Sequence, residues 1–204
     1  MIAAPGFRHE IEVHETAFAD HLLDVYRRSY YDRSERPYLR PARRGEPGAG
    51  TAAGGGRIAT CALDLRRPLS ASPYLVPTAD AMVAVLGRLG IEQVAGAGFG
   101  AFGLVGAVLA RGTFRSALVR PAAKAYGFRE RIEGDLDPEA PTAILDDLLA
   151  TGRSALATAA ALRDGGYLTT LSLTVFRFGW GPGRERLRHA GLTHHCLASL
   201  WPAS

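Results

Sequence analysis

The chain is poor in lysine and cysteine. Of its 24 basic residues, 23 are arginines and one is a lysine, Lys124, and its two cysteines are Cys61 and Cys196. Two cysteines so far apart form neither a disulfide framework nor a spaced set of metal ligands. We therefore expect a reducing compartment and no metal held by thiolates.

Long apolar segments are also missing. The longest uncharged stretch, residues 94–110, contains five glycines and is shorter than the ~20 apolar residues that span a bilayer. Residues 1–13 lack the apolar core of a signal peptide, so we expect a cytoplasmic protein. The formal charge of +4 is compatible with nucleic acid, with a polyanionic small substrate or with neither.

The length of 204 residues, 47% of them hydrophobic, suits one α/β domain with a buried core. We expect an N-terminal helix or hood at 1–44, with the helix at 15–30, a flexible glycine-rich loop at 45–56, and a core at 57–204. Within the core the patterns predict a strand or turn at 57–65, helices at 78–89, 102–111 and 154–163, and strands at 92–97, 116–120, 142–145 and 168–176. This alternation predicts a mainly parallel sheet with ligands at the carboxyl ends of its strands.

The most informative segment is residues 142–155, TAILDDLLATGRSA. An apolar strand ends in Asp146 and Asp147, and a short loop then leads into a helix. Unpaired backbone N–H groups at a helix start favour a phosphate, and carboxylates accept hydrogen bonds from sugar hydroxyls. An isolated Asp-Asp pair is more often only part of a turn, whereas the full pattern indicates a sugar phosphate.

This segment resembles the phosphoribosyl pyrophosphate (PRPP) motif of type I phosphoribosyltransferases. The resemblance implies that fold, with a mainly parallel sheet flanked by helices and a small N-terminal hood. It also implies that Asp146 and Asp147 hold the ribose hydroxyls. The 5′-phosphate would lie on the residues of the following loop, which are Ala150, Thr151, Gly152, Arg153 and Ser154.

Residues 118–127, LVRPAAKAYG, resemble a basic segment of orotate phosphoribosyltransferases. The resemblance places Arg120 and Lys124 at the pyrophosphate and makes residues 125–133 a mobile catalytic loop that subunits exchange across a homodimer. Pro121 stands where that family has a lysine, and Tyr126, a candidate acceptor contact, stands where it has a histidine. A solvated lysine is the simpler interpretation of Lys124, but its being the only lysine favours a function, since arginine does not replace a compact ammonium well.

Residues 96–103, GAGFGAFG, contain Gly98-x-Gly100-x-x-Gly103. A dinucleotide site would need an acidic residue about 20 positions later, and none occurs between Glu92 and Glu130; an NADP site that uses Arg120 stays open. The resemblance instead makes this segment the pyrophosphate loop. Its candidate PRPP contacts are Ala97, Gly98, Phe99 and Gly100.

Arg177 stands where orotate enzymes have an arginine that meets the orotate carboxylate, and Phe176 replaces the preceding aspartate. An arginine at a strand end is also commonplace.

Residues 56–66 lack the aromatic pair of the corresponding family segment, and we expect Arg57 and Arg66 to be surface charges. His194 and His195 have no third ligand beside them, so we interpret them as structural.

The resemblance implies a Mg²⁺-dependent transfer of phosphoribosyl from PRPP to orotate or an orotate-like base, with Mg²⁺ held mainly through PRPP. Asp147, Arg120 and Lys124 would be the catalytic residues. Two alternatives stay open: a PRPP-sensing regulator of the same fold, and an enzyme of specialised metabolism with another acceptor.

Overall fold

The computed structural model describes residues 2–3, 9–32, 61–120 and 131–203, which form one eight-stranded sheet and a small two-stranded sheet. The strands are β1 (Ile2–Ala3), β2 (His9–Val13), β3 (Tyr30–Asp32), β4 (Cys61–Leu63), β5 (Gln93–Ala97), β6 (Arg115–Val119), β7 (Ile132–Gly134), β8 (Thr142–Leu149), β9 (Thr169–Phe178) and β10 (Thr193–Pro202). The helices are α1 (Ala19–Ser29), α2 (Arg66–Leu69), α3 (Ser72–Arg88), α4 (Gly98–Arg111), α5 (Arg153–Asp164) and α6 (Gly183–His189), and a 3₁₀ turn at Thr16–Phe18 precedes α1.

The large sheet has the order β1-β2-β10-β9-β8-β5-β6-β7. Its five inner strands, from β10 to β6, are parallel, while β2 and β7 add antiparallel edges and β1 pairs with β2. The predicted mainly parallel sheet is therefore confirmed. The N-terminal part of the chain supplies edge strand β2, and β3 pairs with β4 in the small sheet.

The sheet is covered by helices on both faces. Alternate residues of β8 show this, because Ala143 and Leu145 pack in the core that includes side chains of α1, α3 and α4, whereas Ile144 packs in the core that includes α5 and α6. A strand buried on both faces needs an unbroken apolar run. The sequence TAIL before the two aspartates meets that need.

The connections diverge between β5 and β8. From β5 the chain passes through α4 to β6 on one side, and from β8 it passes through α5 and α6 to β9 and β10 on the other. In open α/β sheets a ligand binds in the crevice that such a divergence leaves at the carboxyl ends of the strands. Two of the segments singled out in the sequence lie at these strand ends.

Several predicted boundaries were wrong. Strand β8 continues past Leu145 to Leu149, because β9 extends to Phe178 and pairs with it there. Helix α4 begins at Gly98 rather than at residue 102, and α3 begins at Ser72 with Pro77 inside it. Strand β7 begins at Ile132, inside the segment 125–133 that was expected to be a loop, while β2, α6 and β10 were not predicted. The glycine-rich loop at 45–56 lies outside the described residues.

No helix among the described parts of the chain is both long and apolar enough to cross a membrane.

Candidate functional site

Asp146 and Asp147 lie at the crevice between β5 and β8. The last paired residues of these strands are Gly96 and Leu145, so the two aspartates follow at the point where β5 turns into α4. Consecutive strand residues point to opposite faces of a sheet. Asp147 accordingly faces α4 and Asp146 faces α5, as their contacts with Gly100 and Ser154 show.

Helix α4 approaches the Asp147 carboxylate closely through Gly100. A Cβ at residue 100 would lie 2.8 Å from the Oδ2 atom of Asp147, a distance at which one of the two groups must move. The glycine-rich segment and the aspartates are therefore in direct packing contact. With any residue other than glycine at position 100, the Asp147 carboxylate could not occupy its present position in the crevice.

The carboxyl group of Asp146 is held in an environment that disfavours its charge. Burial, followed by the charge of Asp147, raises the pKa of Asp146 from 3.8 to about 7, and hydrogen bonds from Ser154 and the Asp147 backbone oppose that rise. The Asp147 N–H donates to Asp146 Oδ1 at 2.9 Å. Burial also raises the pKa of Asp147. Buried carboxyl groups with few cationic partners are suited to binding sugar hydroxyls or a cation that arrives with a ligand.

A cavity of about 90 Å³ lies beside Asp146. It is lined by Asp146, residues 148–155 and Thr174, so all five predicted phosphate contacts border it. Gly152, with φ at +77°, turns the chain into α5. Since α5 begins at Arg153, the unpaired N–H groups and positive end of the helix dipole lie at this cavity. The geometry favours a small anion such as phosphate.

The predicted pyrophosphate loop is mostly helical. Ala97 ends β5, and Gly98, Phe99 and Gly100 form the first turn of α4. Phe99 is 87% exposed, and no acidic residue lies in this turn. The segment is therefore helical where a loop was expected, and the unpaired N–H groups of a helix start are also suited to an anion.

Arg120 directly follows β6, the strand that α4 connects to β5. Its Nη2 donates to Glu133 Oε2 of β7 at 2.8 Å, and both side chains line a cavity of about 240 Å³ with Gly98, Phe99, Phe102 and Leu118. Arg120 is thus beside the first turn of α4, and a carboxylate already pairs with it; its contact with pyrophosphate stays a prediction. Lys124, Pro121 and Tyr126 lie outside the described residues.

Arg177 lies near the carboxyl end of β9, opposite Leu149 of β8 and Ser199 of β10. Its Nε donates to Ser199 Oγ at 2.7 Å. Phe176 is fully buried and packs edge-on against Tyr26, with ring centroids 6.2 Å apart. Phe176 therefore offers no stacking surface to a ligand, because α1 covers that side chain.

Arg66 is a residue whose role the sequence analysis underrated. It begins α2 and donates from Nε to Asp64 Oδ1 at 2.7 Å. Burial raises the pKa of Asp147, and the charge of Arg66 partly opposes that rise. Arg66 is exposed, as expected, yet its charge also acts on the crevice. Only the folded structure reveals this, since 81 positions separate the two residues in the sequence.

His194 is mostly buried, with Nε2 3.5 Å from Thr174 Oγ1. Burial and the charge of Arg177 lower the pKa of His194 to about 3, so the ring is neutral. Among the described residues no group of three or more His, Cys, Asp or Glu side chains forms a metal site. The structural interpretation of the two histidines stays a prediction.

Comparison with solved structures identifies the architecture. The orotate phosphoribosyltransferase of Mycobacterium tuberculosis H37Rv, solved in complex with PRPP, matches 94% of this chain and 96% of its own chain, with a TM-score of 0.67 and 18% identity. The chain has the type I phosphoribosyltransferase fold. At that identity the likeness establishes the fold alone.

Sequence comparison finds the same group of proteins. Over 81 residues the chain is 31% identical to the orotate phosphoribosyltransferase of Cytophaga hutchinsonii. The matched region covers 40% of this chain and 39% of that protein. Over 118 residues it is 33% identical to the enzyme of the same name from Synechocystis sp., covering 54% and 58%. The matches thus span about two fifths to three fifths of these relatives. No family model matches the chain.

Proposed function

We propose that the chain transfers the phosphoribosyl group of PRPP to an aromatic nitrogen acceptor, orotate or an orotate-like base, and releases pyrophosphate. One observation carries the proposal: the Asp146–Asp147 pair lies between the cavity at the start of α5 and the first turn of α4. A sugar with a 5′-phosphate on one side and a pyrophosphate on the other fits this order of groups. The orotate phosphoribosyltransferase relatives support the same reaction class.

The reaction would need no side-chain nucleophile. The bond from C1 of the ribose to pyrophosphate breaks, and pyrophosphate leaves with the electron pair. The acceptor nitrogen gives up its proton to solvent and forms the new bond to C1. Catalysis then consists of positioning and of stabilising the charge that develops on the leaving group. Asp146 and Asp147 would fix the ribose, and the N–H groups at the start of α4, Arg120 and Lys124 would stabilise pyrophosphate.

The residues present fit Mg²⁺ in a limited way. Two adjacent carboxylates are suitable oxygen ligands, but they are too few for a cage made by the protein alone, and Mg²⁺ is commonly bound through one or two carboxylates together with substrate phosphates. Mg²⁺ would therefore be held mainly by PRPP, and Asp146 and Asp147 would bind the ribose hydroxyls of that PRPP. When bound, Mg²⁺ would neutralise charge on the leaving pyrophosphate.

The proposal includes a cytoplasmic homodimer. On α4, Phe99, Phe102 and Leu109 are exposed and share one helix face with Gly103 and Gly106. An apolar helix face without charged residues is typical of a surface that another protein covers. We propose that a second copy of this chain covers this face.

Turnover tests the proposal directly. The protein is incubated with PRPP, Mg²⁺ and either orotate or a panel of aromatic acceptors, and pyrophosphate release is followed. Release that depends on an acceptor supports the transferase. Tight PRPP binding without pyrophosphate release for any acceptor contradicts the transferase and supports a PRPP-sensing regulator. The pairing of Arg120 with Glu133 would suit that role.

A further inference from the structure

Arg177 has an unusual set of partners for a half-buried arginine. Its Nε–H donates to the hydroxyl of Ser199 at 2.7 Å. The carboxylates that pair with arginines in the described residues are those of Glu15, Asp24, Asp64, Asp80, Glu133 and Asp135, and none of these pairs includes Arg177. Within the described part of the chain, Arg177 is therefore oriented by a neutral group.

Ser199 is itself fixed on its other side. The residue is fully buried, and its Oγ lies 2.7 Å from Nε2 of His14. Partial burial of the ring lowers the pKa of His14, which favours the uncharged form. In the tautomer that carries its proton on Nδ1, the Nε2 atom accepts a hydrogen bond from Ser199. Ser199 in that case donates to His14 and accepts from Arg177, which uses the donor and one acceptor position of the hydroxyl.

This arrangement orients the guanidinium without neutralising it. A carboxylate partner would fix the side chain equally well, but it would cancel the charge that a ligand could use. A partly desolvated cation with a neutral partner gains more from an arriving anion, because the desolvation cost has already been met in folding. The remaining N–H groups of a guanidinium form a planar pair that matches a carboxylate.

The positions of these residues agree with the crevice. Arg177 pairs with Leu149, which ends β8 and borders the cavity beside Asp146. The adjacent Phe176 lies in the opposite direction, under α1, so the residue preceding Arg177 cannot orient it. The orienting group comes instead from β10, the strand beside β9.

We infer that Ser199, held by His14, is a positioning residue that aims Arg177 at a carboxylate on the acceptor. The inference rests on the proposed function and deepens it, since it specifies a carboxylated acceptor. Ser199 and His14 do not touch the substrate. They set the direction in which Arg177 presents its charge.

The experiment compares two ligands that differ only in the carboxylate. Orotate and uracil are titrated calorimetrically into the full chain and into Ser199→Ala and Ser172→Ala variants, and PRPP is titrated into each as a separate arm. Ser172 is a matched control, because it is fully buried near the start of β9 and its hydroxyl has no hydrogen-bond partner. Thermal unfolding of all three proteins shows that the variants are folded.

We expect Ser199→Ala to weaken orotate binding about tenfold, the loss typical of one hydrogen bond to a charged group. Its affinities for uracil and PRPP should stay within about twofold of the parent, and Ser172→Ala should change none of the three. Equal losses for orotate and uracil, or an unchanged orotate affinity, would overturn the positioning role. If the parent binds PRPP but not orotate, the carboxylate assignment fails while phosphoribosyl transfer to another acceptor stands.

Discussion

Gly100 and Asp147 are in direct contact across the crevice. A Cβ at residue 100 would lie 2.8 Å from both Cγ and Oδ2 of the carboxylate, whereas a Cβ at Gly103, one turn further along α4, would meet nothing within 4 Å. These two of the three glycines in the GxGxxG pattern therefore have different surroundings. Gly100 makes room for the Asp147 carboxylate, and Gly103 lies on an open helix face.

Replacing Gly100 by alanine should displace the Asp147 carboxylate. We expect Gly100→Ala to weaken PRPP binding about tenfold, as for the loss of one charged hydrogen bond. Gly103→Ala should leave PRPP affinity unchanged and stabilise the fold by about 0.5–1 kcal/mol, because alanine is the better helix former. Calorimetric titration and thermal unfolding measure both effects, and equal PRPP affinities in the two variants would contradict the contact.

The buried Asp146 predicts a pH-dependent stability. Its pKa rises from 3.8 in the unfolded chain to about 7 in the fold, so between these values the folded state keeps a proton that the unfolded state releases. The free energy of unfolding should therefore fall as pH rises from about 4 to about 7. Above about pH 7 the contribution of Asp146 should no longer change with pH.

Asp146→Asn removes this group. Without ligand, the variant should unfold at a higher temperature than the parent at pH 8, by a few degrees, and the difference should shrink towards pH 4.5. The same variant should bind PRPP more weakly, since an amide is a poorer acceptor than a carboxylate. A temperature difference that does not change with pH would show that Asp146 does not titrate in this range.

Glu133 competes with PRPP for Arg120 if the pyrophosphate assignment is right. Glu133→Gln should then raise PRPP affinity by up to about fivefold, because a partly exposed ion pair contributes about 1 kcal/mol or less. Asp135→Asn is the matched control, since it removes the same charge two residues away, from a looser 3.8 Å pair with Arg115. Equal PRPP affinities in the two variants would place Arg120 outside the pyrophosphate site.

Lys124→Ala tests the single-lysine argument. We expect turnover to fall by a factor on the order of 10² while PRPP affinity changes less, as for a charge felt mainly in the transition state. Lys124→Arg should restore only part of the rate, because a planar guanidinium does not follow a leaving pyrophosphate as a compact ammonium does. Turnover within a few-fold of the parent in Lys124→Ala would make this lysine an ordinary surface residue.

The fold could be predicted from local patterns where those patterns are complete. The apolar run before Asp146, the helix start at Gly152 and the alternation of strands with helices each specify their own element, and the mainly parallel sheet follows. The end of β8 could not be predicted in this way, because Leu148 and Leu149 are extended only where β9 pairs with them.

Long-range contacts also explain what the sequence analysis missed at the site. Arg66 acts on Asp147, Glu133 pairs with Arg120, and Ser199 orients Arg177. In each case two residues from different elements meet only after the sheet has formed. A motif identifies the residue that carries a charge, but not the partner that directs or neutralises it.

Equilibrium titration measures whether the Asp146–Asp147 segment binds PRPP. PRPP with Mg²⁺ is titrated calorimetrically into the parent chain and into Asp146→Asn, Asp147→Asn and Asp164→Asn, the last of which removes an exposed carboxylate at the far end of α5. We predict that both crevice variants bind PRPP about tenfold more weakly or worse, and that Asp164→Asn binds it like the parent. Unchanged affinity in both crevice variants would remove the PRPP site from this segment.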